Sequence, residues 1–158
     1  MRPKDYLSQV RHLDKEIDSR LKLKEDLRAR ALSIGSLDSK ERVQSSGGLN
    51  FSDWIDKITD IEREIDQKID ELIDLKKRIN SQIDKVENPV HRLVLVNHYL
   101  RDMSLMEIAA DYNYNYGYIK NIHGHALLEF KAKNPEVFYD WASWTISVSN
   151  YQKSSLWL

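Results

Sequence analysis

SLMEIAADYNYNYGYIKNIHGHALLEFK, residues 104–131, reads as two short helices joined by a tight turn. Ser104 and Glu107 form a capping box: the hydroxyl accepts from an exposed backbone N–H, and the carboxylate reaches back to the cap. Leu105, Ile108 and Ala109 share one apolar face, which ends at the polar run 111–115. In the helix that follows, Ile119, Ile122, Ala126, Leu127 and Phe130 recur at helical spacing. Small Ala109 lets the second helix cross close to the first, and Ile119 plugs the angle between them. Asn113 stands where the turn needs a positive φ, which Asn tolerates better than most residues. This spacing is that of a helix-turn-helix, whose second helix normally enters the DNA major groove.

Upstream, Asn88-Pro89 supplies a cap and a first helical residue. The helix expected over 90–100 buries Leu93, Val94, Val96 or Asn97, and Leu100 in some combination. It is the third helix that a small helix-turn-helix domain needs to close a core. Downstream, Asn134-Pro135 repeats the cap-and-proline signal and opens an aromatic segment holding Phe138, Trp141, Trp144 and Tyr151, with Trp157 near the chain end. That segment either packs back on the core or forms a contact surface.

The N-terminal half is built differently. Residues 4–32 are charged, free of internal Gly and Pro, and place Tyr6, Val10, Leu13, Ile17, Leu21 and Leu27 on a helical stripe. Residues 33–50 are the most loop-like, with Ser-Ser-Gly-Gly at 45–48. Ser52 is expected to cap a helix over 53–87, which at 35 residues spans roughly 50 Å. Taking Ile58 as heptad position a, every a is apolar: Ile58, Ile65, Leu72, Ile79 and Val86. Position d holds Trp54, Ile61, Lys68, Leu75 and Gln82, and Ile55, Ile69 and Ile83 widen the stripe at e. The polar residues at d could set register or oligomer state. Residues 1–32 carry nine Lys/Arg against six Asp/Glu, and 53–87 carry seven against eleven. Opposite charge favours an antiparallel fold-back, although solvated faces explain such an asymmetry equally well.

Composition bounds the rest. A chain of 158 residues allows one ordinary domain or two small ones, and 31% charged residues against 41% hydrophobic suits long solvated helices. The absence of cysteine leaves no disulfide framework and no thiolate zinc site, which fits a reducing cytoplasm. No apolar run approaches the ~20 residues of a membrane span, and the first ten residues lack a signal-peptide core. A net charge of −1 argues mildly against a non-specific nucleic-acid coat. There is no phosphate loop, nucleophile elbow or metalloprotease motif, so neither an enzyme nor a cofactor is expected.

NPVHRLVLVNHYLRDMSLMEIAADYNYNYGYIKNIHGHALLEFK, residues 88–131, resembles the fourth region of bacterial sigma factors, which reads the upstream promoter element. That family places E-I-A after a turn, here Glu107-Ile108-Ala109, and then a helix of the form I/V-R/K-x-I-x-x-K/R-A-L-x-x-L, here Ile119 to Phe130. A charged helical N-terminal half before such a module is similar to small phage and prophage late-gene regulators of the RinA/ArpU type. The resemblance implies promoter binding that switches on packaging or lysis genes, in the cytoplasm of a bacterial host. Nothing matches the promoter-melting second region of a full sigma factor, so a regulator is expected rather than a stand-alone sigma factor.

Carried over position by position, the resemblance implies that DNA is met by Tyr116, Gly117, Tyr118, Lys120 and Asn121, with Asn115 as the cap and His125 nearer the backbone. Asn121 has the paired donor and acceptor that suit adenine, and Lys120 reaches guanine acceptors or a phosphate. Two departures stand out. Positions often held by arginine are Tyr116 and Tyr118, and residues 89–133 carry five Lys/Arg against four Asp/Glu. Such weak basicity predicts modest non-specific affinity and a shallow salt dependence per domain, and dimerisation would compensate by placing two recognition helices on one site. Of the alternating tyrosines, Tyr112 is assigned to the core and Tyr116 and Tyr118 to the surface. His123 and His125 are expected at the surface, with no ligand set to make a metal site.

The expectation is an all-α protein with three parts: a self-associating helical hairpin over 1–87 with a flexible loop near 33–51, a helix-turn-helix domain over 88–133, and a C-terminal helix and tail over 134–158. Its partners would be double-stranded DNA, a second copy in a homodimer or higher oligomer, and RNA polymerase, with no membrane. The alternative is an adaptor that binds RNA polymerase or another regulator without touching DNA.

Overall fold

The computed structural model describes residues 1–37 and 51–138, and every regular element among them is helical. The order is α1 (Pro3–Leu7), α2 (Gln9–Leu37), α3 (Phe51–Ile83), α4 (Pro89–Leu95) continued by a π-helical turn (Val96–Leu100), α5 (Leu105–Asp111), α6 (Tyr116–Lys133) and α7 (Pro135–Phe138). The tryptophans of the tail, Tyr151 and most of the loop expected near 33–51 lie outside the described residues. Packing divides the chain into residues 10–75 and a second unit of residues 1–9 with 76 onward.

Within residues 10–75, α2 and α3 run antiparallel. Glu16 meets Lys68 at 3.5 Å, Arg20 meets Glu64 at 3.4 Å and Arg28 meets Glu62 at 2.6 Å, so partner numbers fall along α3 as they rise along α2. The basic side of most of these pairs comes from α2 and the acidic side from α3, as the charge asymmetry suggested. Exposed ion pairs add little each, so the apolar seam carries the hairpin. Val10, Ile17 and Ala31 are buried on α2, and Ile58, Ile65, Leu72 and Leu75 on α3. Position a is therefore buried throughout, including Ile79 and Val86 in the other unit. The widening expected at e is only partial: Ile83 is fully buried, whereas Ile55 and Ile69 are 42% and 38% exposed. The polar d residues are satisfied within the chain, Lys68 by Glu16 and Glu71, and Gln82 by the Tyr6 hydroxyl at 2.9 Å.

α3 starts at Phe51, one residue before the cap expected at Ser52, and ends at Ile83 rather than at residue 87. Its last turn tightens, with Lys85 N–H donating to Gln82 and Val86 N–H to Ile83, before the chain turns into α4. There Asn88 caps α4 by accepting from the N–H groups of Val90 and His91, with Pro89 at the first position.

The helix expected as one regular span over 90–100 changes pitch at Val96. The Asn97 side-chain amide donates to the Leu93 carbonyl at 2.8 Å, occupying an acceptor the regular ladder would use. Arg101 N–H then reaches back five residues to Val96. A side chain inserted into the ladder widens a helix in this way. The wider turn changes which residues face inward: Val94, Leu95, Asn97 and Tyr99 are buried, while Leu93, Val96 and Leu100 are only partly so.

Residues 1–9 and the end of α3 belong to the same unit as α4–α7. Leu7, Ile79, Ile83, Val86 and Phe130 are fully buried there, and the Tyr6, Phe130 and Phe138 rings lie 5.8–6.3 Å apart, centroid to centroid. Asn134 ends α6 in this cluster, donating to the carbonyls of Gln82 and Phe130.

Candidate nucleic-acid interface

The helix, turn and helix at 104–131 form from local signals at each junction. Ser104 Oγ accepts from Glu107 N–H, and the Glu107 carboxylate accepts from Ser104 N–H at 2.7 Å. Both halves of the capping box are present, and the bond to Ser104 holds the Glu107 carboxyl below its usual range. α5 ends in a Schellman motif: Tyr114 N–H donates to Ala109 O at 2.8 Å and Asn113 N–H to Ala110 O at 3.3 Å. Asn113, with φ of 55°, takes the left-handed position that this motif requires. Asn115 then caps α6, its side chain accepting from Gly117 N–H at 2.8 Å.

Val94 of α4, Ile108 and Ala109 of α5 and Ile119 of α6 pack as one core, with Leu93, Met103, Leu105 and Ile122 against it. Ala109 and Ile119 lie at the helix contact, as the spacing predicted. α6 is held from outside as well. Glu129 accepts from the backbone N–H groups of Glu87 and Asn88 and from His91 Nδ1, and Lys133 pairs with Glu87. Burial works against the charge on Glu129, but these donors together hold its carboxyl below the usual range.

All seven residues expected to meet DNA are exposed: Asn115, Tyr116, Gly117, Tyr118, Lys120, Asn121 and His125. Tyr116 and Tyr118 are 47% and 45% exposed, and Tyr118 lies against Tyr114 with ring centroids 5.4 Å apart. Gly117, Lys120, Asn121 and His125 share the side of α6 opposite Ile119, Ala126 and Phe130. Gly124 and Leu128, to which the sequence assigns no role, lie on that same side and are exposed. A 100° step from buried Ile119 would have found both. Glu129, the single acidic residue of α6, is turned toward residues 87–91, so the exposed side carries no carboxylate.

Two expectations fail. Tyr112 is 38% exposed and not core; it ends α5, and its hydroxyl accepts from the buried Asn97 amide at 3.2 Å. His123 is half-buried and not a surface residue: its Nε2 bonds the Tyr99 hydroxyl at 2.9 Å, and its ring meets His98 edge-on at 5.1 Å. Burial, then the nearby charges of His98 and Lys4, push its pKa down to about 4. No cluster of metal-ligating side chains occurs among the described residues, and no described helix is long and apolar enough to cross a membrane. No protein-family model, curated protein or solved structure matches the chain.

Proposed function

We propose that this protein is a sequence-specific double-stranded DNA-binding regulator of transcription that reads the major groove with α6. The phage or prophage late-promoter activators of the RinA/ArpU type are the class we assign it to, on the strength of the sigma-like motif. One observation carries the reading: a short α5 closed by left-handed Asn113 and an α6 anchored by Ile119 leave a whole side of α6 exposed and without carboxylates. Lys120 and Asn121 lie on that side, and Tyr116 and Tyr118 flank it. Replacing Lys120 and Asn121 together by alanine should weaken specific binding by about 2–5 kcal/mol, with helicity and oligomeric state unchanged. Undiminished binding would mean that another surface reads the DNA.

The hairpin of α2 and α3 is assigned to self-association, which would place two copies of α6 on one site and offset the weak charge of each. An adaptor that binds RNA polymerase or another regulator without touching DNA is the competing reading, favoured by the absence of arginine from α6. The two differ in salt dependence, since only DNA binding releases condensed counterions.

A further inference from the structure

No contact among the described residues requires glycine at position 124. It occupies the middle of α6, where glycine costs about 1 kcal/mol relative to alanine. No positive φ is present there to require it, and a methyl group at this position would meet nothing within 4 Å. Gly117 differs, because a methyl there would come within 3.1 Å of the capping Asn115 Oδ1, so its glycine is explained by the cap. An exposed mid-helix glycine that none of the described residues requires suits a close approach from outside.

The surroundings of Gly124 say what approaches. One turn before it stand Lys120 and Asn121, one turn after it Leu128, 68% exposed, and two turns before it Gly117. Tyr118 and His125 border the strip on one side. The strip is thus a shallow apolar floor with one primary amide, Lys120 beside it and Lys131 one turn past Leu128, and it is bare of carboxylates, so a polyanion meets no repulsion along it. An arginine-rich face would suit the acceptors of guanine. This one suits the base pair that presents a methyl group and an adenine edge.

Resting on the DNA-binding reading, we propose that α6 recognises A·T pairs by seating thymine 5-methyl groups on the Gly117–Gly124–Leu128 floor while Asn121 bonds the neighbouring adenine. Gly124 sets how deeply the helix enters the groove.

The test uses the full-length protein and a duplex selected from a random-sequence library, resynthesised with deoxyuridine in place of thymidine. That change removes the methyl groups and leaves the hydrogen-bonding edges intact. Affinity should fall about tenfold for two methyl groups buried at the floor. Gly124→Ala should raise the melting temperature yet weaken binding to the thymidine duplex, a pairing of signs that a purely structural glycine would not give. Equal affinity for the two duplexes, or undiminished binding by Gly124→Ala, overturns the inference while leaving DNA binding intact. If the protein binds no duplex in the library, the DNA-binding reading fails and this inference goes with it.

Discussion

Single residues decide two properties that composition hides. His123 remains neutral in the folded protein down to about 4, against 6.5 for an ordinary histidine. As pH falls the unfolded chain therefore takes up this proton first. The stability due to neutral His123 is complete above 6.5 and is lost as pH falls toward 4. Because solvent still reaches the ring, the loss is discounted to about 1–2 kcal/mol. Urea unfolding at pH 7 and pH 5 checks this: His123→Gln should shrink the difference between the two pH values, and an unchanged difference would place the titration elsewhere. Glu129 is the second such residue. It joins α6 to the chain entering α4 through three acceptor contacts, so Glu129→Ala should cost about 1.5–3 kcal/mol in the same assay.

Among the elements, those specified by neighbours in sequence were legible before folding. The capping box at Ser104, the left-handed Asn113, the Asn115 and Asn88 caps and the apolar a positions each depend on a few adjacent residues or one helical period. Ser104→Ala should accordingly cost about 1 kcal/mol, read as a lowered urea midpoint with unchanged slope. What escaped the sequence depends on distant partners. The π-helical turn needs the Asn97 amide to take the Leu93 carbonyl, and Tyr112 is drawn toward that same amide. His123 is claimed by Tyr99, 24 positions away in sequence. The exposed side of α6 was legible residue by residue, but Gly124 gained meaning only once the space around it was known. In the hairpin, Ile65 is 4% exposed in the seam, and Ile65→Ala should destabilise the chain by about 2–5 kcal/mol in thermal or urea unfolding.

At the scale of the whole molecule, the proposed self-association of the hairpin is open to direct test. α3 leaves Ile69 and Ile73 exposed beside the buried seam, at 38% and 44%. If the hairpin pairs two copies, Ile69→Glu with Ile73→Glu should shift sedimentation toward the monomer and lower DNA affinity together, with helicity retained. A double variant that sediments and binds like the parent would remove the hairpin from the interface. The reading of α6 itself is tested most directly by measuring affinity for the library-selected duplex over a series of salt concentrations, using the parent protein and the Lys120→Ala, Asn121→Ala variant. A linear fall of log K with log salt is expected for the parent, shallow because the domain is weakly basic, together with a lower affinity for the variant. A binding constant that does not move with salt, or a variant that binds as tightly as the parent, would contradict that reading.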